Sequence, residues 1–229
     1  MKRIKAIALG DSITKGVVLS KEDKYTAIDN CYLNIMSREL ELTIANYGKF
    51  GATVSCAGIM TDRLAEQIAQ VDYIFLGYGG NDCDFDWMKI AENPDVEHHP
   101  RTPAAEFKSM MISVIDKIKS LGAKPVITSL PPIISENYFA FITRHMNGEQ
   151  KDNVLRWLGG DVGVIARWHE SYNLALFNIA KEAQVPIIDI TTPFDTYRGH
   201  LDNLFSADGI HPNTSGHKLI AETVINYYF

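Results

Sequence analysis

The sequence predicts an α/β fold, a doubly wound three-layer α/β/α sandwich on a five-stranded parallel sheet. Three observations predict it. Five short apolar runs each stop at a glycine or proline signal, segments between them carry apolar residues every three or four positions, and no repeat or Pro/Gly/Ser-rich linker divides the 229 residues. The chain is therefore expected to form one domain over residues 1–229.

The first run, Ile4 to Leu9, ends at Gly10-Asp11, as a strand buried on both faces should. The second, Leu42 to Tyr47, stops at Gly48, and the third, Val71 to Tyr78, breaks at Gly79-Gly80. Pro125 to Leu130 is closed by Pro131-Pro132, and Val185 to Ile190 by Thr191-Thr192-Pro193. Among the helical segments, Phe107, Met111, Val114, Ile115, Ile118 and Leu121 trace one stripe, with Gly122 placed to end it. Cys31–Leu40, Ile59–Ile68, Ile165–Ala183 and Ser215–Tyr228 read similarly. Residues 133–164 break the rhythm: far longer than a crossover needs, they are expected to form a partly helical insertion near the carboxyl edge of the sheet, as a pocket wall or a purely structural flap.

Composition narrows the function. Hydrophobic residues at 46% and charged residues at 22% exclude disorder as the default. A net charge of −6, with neither sign in a run, gives a phosphate backbone nothing to bind, so no nucleic-acid partner is expected. Met1-Lys2-Arg3 imitates the charged start of a secretory signal, but Lys5 and Asp11 interrupt the apolar stretch behind it, which reads as a strand. No window is long enough for a membrane helix, so no membrane association is expected. Cys31, Cys56 and Cys83 are odd in number and widely spaced, which suggests no disulfide framework or thiolate metal site and fits a reducing cytoplasm.

In an open α/β sheet, ligands sit outside the carboxyl ends of the strands where strand order reverses. Those ends deliver Gly10-Asp11-Ser12, the segment Gly48 to Gly51 and Gly79-Gly80-Asn81-Asp82, while the chain end carries Asp208-Gly209-Ile210-His211-Pro212. A serine hydroxyl becomes a nucleophile when a base takes its proton. His211 is the natural base, and Asp208, three residues earlier, can hold its other ring nitrogen. The Ser12 and Gly51 amides and the Asn81 side chain could meet at a developing oxyanion. Taken singly, each block has a plainer reading: Asp11 or Ser12 as a helix cap, Asn81-Asp82 as a tight turn, Asp208 or His211-Pro212 as a helix start. What raises the catalytic reading is that all four blocks fall in order at one sheet edge.

With these blocks the sequence resembles the SGNH or GDSL hydrolases: Gly10-Asp11-Ser12-Ile13, Gly51 within Asn46 to Gly51, Gly79-Gly80-Asn81-Asp82, and Asp208 to His211-Pro212. The resemblance spans the chain. It implies a flavodoxin-like sheet of order 2-1-3-4-5, no metal or other cofactor, and hydrolysis of esters or thioesters through an acyl-enzyme. Ser12 would be the nucleophile, His211 the base, Asp208 its partner, and Ser12, Gly51 and Asn81 the oxyanion donors. Gly48 competes with Gly51, and isoleucine stands where the family name has leucine. Asp11 and Asp82, flanking these residues, are expected to contact substrate.

The expected substrate is a small-molecule carboxylic ester, an O-acetylated carbohydrate being one candidate, with short acyl chains preferred. A non-catalytic binding module and an acyltransferase are the rivals, and homo-oligomer formation is open. Trp87, Tyr138, Trp157 and Trp168 suit an aromatic wall or lid packing. Asp82, Asp84 and Asp86, alternating along one loop, also read as turn caps, Cys83 as a quiet semi-buried thiol, His98-His99 as a solvated loop, and His217 as surface or structural.

Overall fold

The computed structural model describes residues 4–228, so the Met1-Lys2-Arg3 reading lies outside the described residues. Along the chain run β1 (Lys5–Gly10), α1 (Ser12–Lys15), β2 (Val17–Leu19), β3 (Tyr25–Ala27), α2 (Tyr32–Glu39), β4 (Thr43–Asn46), α3 (Val54–Arg63), α4 (Ala65–Ile68) and β5 (Tyr73–Gly77). Then come α5 (Trp87–Glu92), α6 (Ala104–Ser120), β6 (Lys124–Thr128), α7 (Ser135–Ile142), α8 (Gly148–Trp157), α9 (Val164–Ala183), β7 (Ile187–Ile188), α10 (Thr192–Asp195) and α11 (Thr214–Tyr228).

The five predicted strands form one all-parallel sheet in the order β4-β1-β5-β6-β7, the predicted 2-1-3-4-5 when only its members are counted. Alternation along each strand feeds two cores. Ile7, Leu9, Ile74, Leu76 and Ile127 point to one face and pack with Ala57 of α3, Met111 and Ile115 of α6, and Leu176 and Ile179 of α9. Ala6, Ala8, Phe75 and Val126 point to the other and meet Leu33 and Met36 of α2, Phe194 of α10, and Ile220 and Val224 of α11. Helices on both faces are what a parallel sheet requires.

Helix α6 buries the predicted stripe from Phe107 through Ile118, and Gly122 follows at φ +91° in the left-handed conformation. Three boundaries differ from expectation. The edge strands are short: β7 pairs only through Ile187 and Ile188, because Pro186 has no N–H and the Ser129 hydroxyl, not a strand, accepts from the amides of Ile190 and Thr191. At the opposite edge β4 is largely exposed rather than buried. The helix expected from Ile59 begins at Val54, five residues earlier, and breaks at Leu64 into α3 and α4.

The insertion at 133–164 is partly helical, holding α7 and α8. With α5 and the start of α9 it builds a third core around Phe85, Ile90, Tyr138, Phe139, Val154 and Ile165. The antiparallel hairpin of β2 and β3 was not anticipated.

Candidate active site

Ser12 stands at the first position of α1, where β1 ends. Two glycines let the helix come this close: a side chain at Gly10 or at Gly77, its partner on β5, would overlap Thr14. Asp11 caps the helix, its carboxylate accepting from the Ile13 amide at 2.9 Å. The hydroxyl of Ser12 is thus fixed by backbone at the sheet's carboxyl edge, next to β5.

From the far end of the sequence, His211 places Nε2 2.9 Å from Ser12 Oγ, and its Nδ1 lies 2.7 Å from Asp208 Oδ2. The second carboxylate oxygen of Asp208 accepts from the amides of Ile210 and His211. Burial of Asp208 favours its neutral form, but the bonds from the His211 ring and these two amides prevail and hold the carboxyl below the usual range. An ionised carboxylate only accepts, so Nδ1 of His211 carries the proton. In the neutral ring Nε2 is then the acceptor for the Ser12 O–H. All three residues are buried, Asp208 with no exposed surface.

A fourth residue, Tyr25 of β3, joins this chain and was not foreseen. Its hydroxyl donates to Asp208 Oδ2 at 3.1 Å, and its ring packs against the His211 ring at 5.1 Å between centroids. Partial burial and the neighbouring Asp208 charge push its phenol well above the ordinary value, so it remains a donor. Phe50, its ring 4.9 Å from that of Tyr25, also faces His211 at 6.0 Å, with planes 12° apart. The signal that could have exposed Tyr25 is the pair of short runs Val17–Leu19 and Tyr25–Ala27 around a polar turn, a weak mark for a hairpin.

The site opens into a pocket of about 1010 Å³ that Asp11, Ser12, Gly51, Asn81 and His211 line. Gly48 is absent from this lining: a side chain there would run into the backbone of α1 at Lys15. Gly51, at φ +70°, has open space around it. The Ser12 and Gly51 amides have no acceptor among the described residues, and Asn81 Nδ2 makes only a long contact, 3.5 Å, with Asp11 Oδ2. Burial pushes the Asp11 carboxyl up to about 6, despite hydrogen bonds and the His211 charge acting the other way.

Asp82 corrects one expectation. It is wholly buried and its carboxylate accepts from the Val54 amide and the Thr102 hydroxyl, so it caps α3 from across the fold and does not face substrate. Asp86 caps α5 through the Lys89 amide, as read. Cys83 is more buried than expected, and burial, with the charges of Asp84 and Asp82, pushes its thiol well above its ordinary value, so it is not a ready thiolate. His98 and His99 do line the outer pocket, His98 in edge contact with Trp157 and His99 beside Glu97.

The aromatic wall is present. Trp87, Tyr138, Trp157 and Trp168 all line the pocket, with Phe85 and Phe141. Asp84 ties this wall together, accepting from Trp87 Nε1 at 2.9 Å and the Tyr138 hydroxyl at 2.8 Å on one oxygen and from Arg101 at 3.1 Å on the other. Tyr138 belongs to the insertion, so 133–164 supplies a pocket wall.

A parallel α/β sandwich carrying a serine–histidine–aspartate hydrogen-bond chain at its carboxyl edge is thus the class of protein that fold and site define. Within it, the chain belongs to the GDSL-like lipase/acylhydrolase family, whose model matches residues 8–219, so ester and acyl hydrolysis is its general class of activity. A curated relative is the uncharacterised lipoprotein YqeF of Bacillus subtilis (strain 168), 25% identical over 190 residues that span 80% of this chain and 69% of that protein. Similar solved structures include the lipase/acylhydrolase from Enterococcus faecalis (18% identity, TM-score 0.60, 97% of this chain and 94% of that one). Another is a catalytic mutant of Axe2, an acetylxylan esterase from Geobacillus stearothermophilus (18% identity, TM-score 0.64, 97% and 93%). No helix among the described residues is long and apolar enough to cross a membrane.

Proposed function

We propose that the protein is a serine esterase acting on a small ester, with an O-acetylated carbohydrate as the favoured substrate class. The observation that carries the reading is the continuous chain from Ser12 Oγ through His211 to Asp208, at 2.9 and 2.7 Å. Ser12 Oγ attacks the acyl carbon while His211 Nε2 takes its proton; Asp208 stabilises the imidazolium that forms. The charge that develops on the carbonyl oxygen falls to the unengaged amides of Ser12 and Gly51 and to Asn81 Nδ2, each such donor contributing about 3 kcal/mol of barrier lowering. His211 returns the proton to the leaving alcohol. A water, deprotonated by the same ring, then releases the acid from Ser12.

Two things support the substrate class: aromatic rings that can stack on sugar faces line the pocket, and a structural neighbour is an acetylxylan esterase. The test is Ser12→Ala, which should reduce turnover of p-nitrophenyl acetate by about 10³-fold or more with the circular dichroism spectrum unchanged. A fluorophosphonate should label Ser12 and no other serine. Undiminished turnover in the variant would overturn the assignment, and an unlabelled wild-type protein would favour a binding module. An acyltransferase would be recognised by ester products when an acceptor alcohol is added.

A further inference from the structure

His169 has no part in the chemistry above, yet its position calls for one. It sits on the core-facing stripe of α9, between Ile165 and Tyr172. There an imidazole is 6% exposed, and its ring has no hydrogen-bond partner among the described residues. It faces the pocket. Among the described residues only His217 has side-chain nitrogens sealed from the surface without a partner; those of His169 reach the pocket, where a ligand can supply the partner that the protein does not.

The place where such a ligand would stand is defined by Gly80. A β-carbon built there would lie 3.7 Å from Asp11 Oδ2 and 3.9 Å from His169 Nε2, with nothing else within 4 Å. Asp11 Oδ2 engages only the long contact from Asn81. A buried carboxylate oxygen and a buried imidazole nitrogen therefore flank one slot on the pocket floor, beside Ser12 and Asn81, kept open because residue 80 has no side chain. Trp168, the preceding residue on α9, presents its ring to the same pocket and anchors its indole N–H on the Cys83 carbonyl at 2.9 Å.

We infer that this slot binds a hydroxyl-bearing edge of the substrate's alcohol portion, His169 and Asp11 each taking a hydroxyl next to the ester. The chemistry selects a neutral polyol. An ionised Asp11 repels anions and accepts from a hydroxyl; a neutral imidazole both donates and accepts, matching an O–H; and the indole of Trp168 offers a face to the C–H groups of a ring. The inference rests on the esterase reading for its place in catalysis, but polyol binding at His169 is a separate property and can be measured separately.

Two measurements test it. In the first, wild-type and Ser12→Ala protein with ¹⁵N-labelled histidine are titrated with methyl β-xylopyranoside, the His169 signals being assigned by their absence in His169→Gln. A saturable shift of the His169 ring nitrogens is expected; ring signals that do not move overturn the inference, whatever the esterase activity. In the second, kcat/KM is compared for 2-hydroxyethyl acetate and ethyl acetate. One hydrogen bond to the added hydroxyl should favour the former about tenfold. That ratio should fall towards one in His169→Leu and in Gly80→Ala, whose methyl occupies the slot in ordinary van der Waals contact. A wild-type ratio of one, or a ratio the variants leave unchanged, also overturns it. A shifting His169 signal in a protein that cleaves neither ester would sustain the binding site and reject the esterase.

Discussion

Tyr25 and Asp208 show how much a single hydroxyl can matter to a buried relay. Asp208 Oδ2 receives both the His211 ring N–H and the Tyr25 O–H, so the phenol limits how far that oxygen can draw the imidazole proton and fixes the ring plane by contact. Tyr25→Phe removes the donor and keeps the ring; a hydrogen bond to a charged group at a partly exposed position is worth about 1 kcal/mol, so kcat on p-nitrophenyl acetate should fall about fivefold with little change in KM. Wild-type kcat in that variant would show the phenol to be a bystander. The residues proposed for catalysis were legible because each is a chemically distinctive type inside a short block, Gly10 to Ser12, Gly79 to Asp82, and Asp208 to His211. Tyr25 and His169 were not: the first lies in a three-residue strand, and the second fills a slot on an amphipathic stripe where any apolar side chain would satisfy the same period.

At the level of elements, strand order and the long helices followed from periodicity because burial on a sheet face enforces it. Element ends did not, wherever their cap comes from a distant residue. Helix α3 starts at Val54, where Asp82, 28 positions away, accepts its first amide; Thr53 is of a capping type, but its hydroxyl pairs with Ser55 and makes no cap bond. The same kind of remote tie holds the pocket wall, since Asp84 gathers donors from α5, from α7 and from Arg101. Asp84→Ala would strand the Trp87 and Tyr138 donors in a largely buried place, at a cost of about 3 kcal/mol, lowering the melting temperature by roughly 6–12 °C. A scanning-calorimetry shift under about 2 °C would show that the wall does not depend on this carboxylate. The reading of short acyl preference from the lack of a long apolar stretch also meets a limit at this level. The apolar lining is assembled from residues scattered over several elements, from Ile13 to Ile210.

For the molecule as a whole, buried ionisable groups set the response to acid. Burial depresses His169 and His217 to about 4 from an ordinary 6.5, the charge of His211 adding to the effect at His217. Below the ordinary value the unfolded chain takes up these protons and the folded protein does not, so each ring removes stability as pH falls from 6.5 to 4, up to about 3 kcal/mol. Asp11 acts in the opposite sense. Its carboxyl is raised to about 6, so the folded state holds a proton more tightly than the unfolded one, and stability grows as pH falls from 6 towards 4, by up to about 3 kcal/mol. One histidine is thereby offset and the other is not. Both ring nitrogens of His217 are buried without a partner, and its ring lies parallel to Tyr32 at 6.0 Å. His217→Phe should keep that stacking, stabilise the fold by about 1 kcal/mol at pH 7, and flatten the fall in melting temperature between pH 6 and pH 4. An unchanged slope in urea or thermal melts across that range would remove His217 from the account.

The contact between Ser12 and His211 joins positions 199 apart, and this has a consequence for the protein's birth. While the ribosome is still making the chain, the Ser12 hydroxyl emerges 199 positions ahead of the imidazole that would awaken it. On the proposed mechanism a nascent chain is therefore silent towards esters until residue 211 has emerged, and any chain cut short before it stays so.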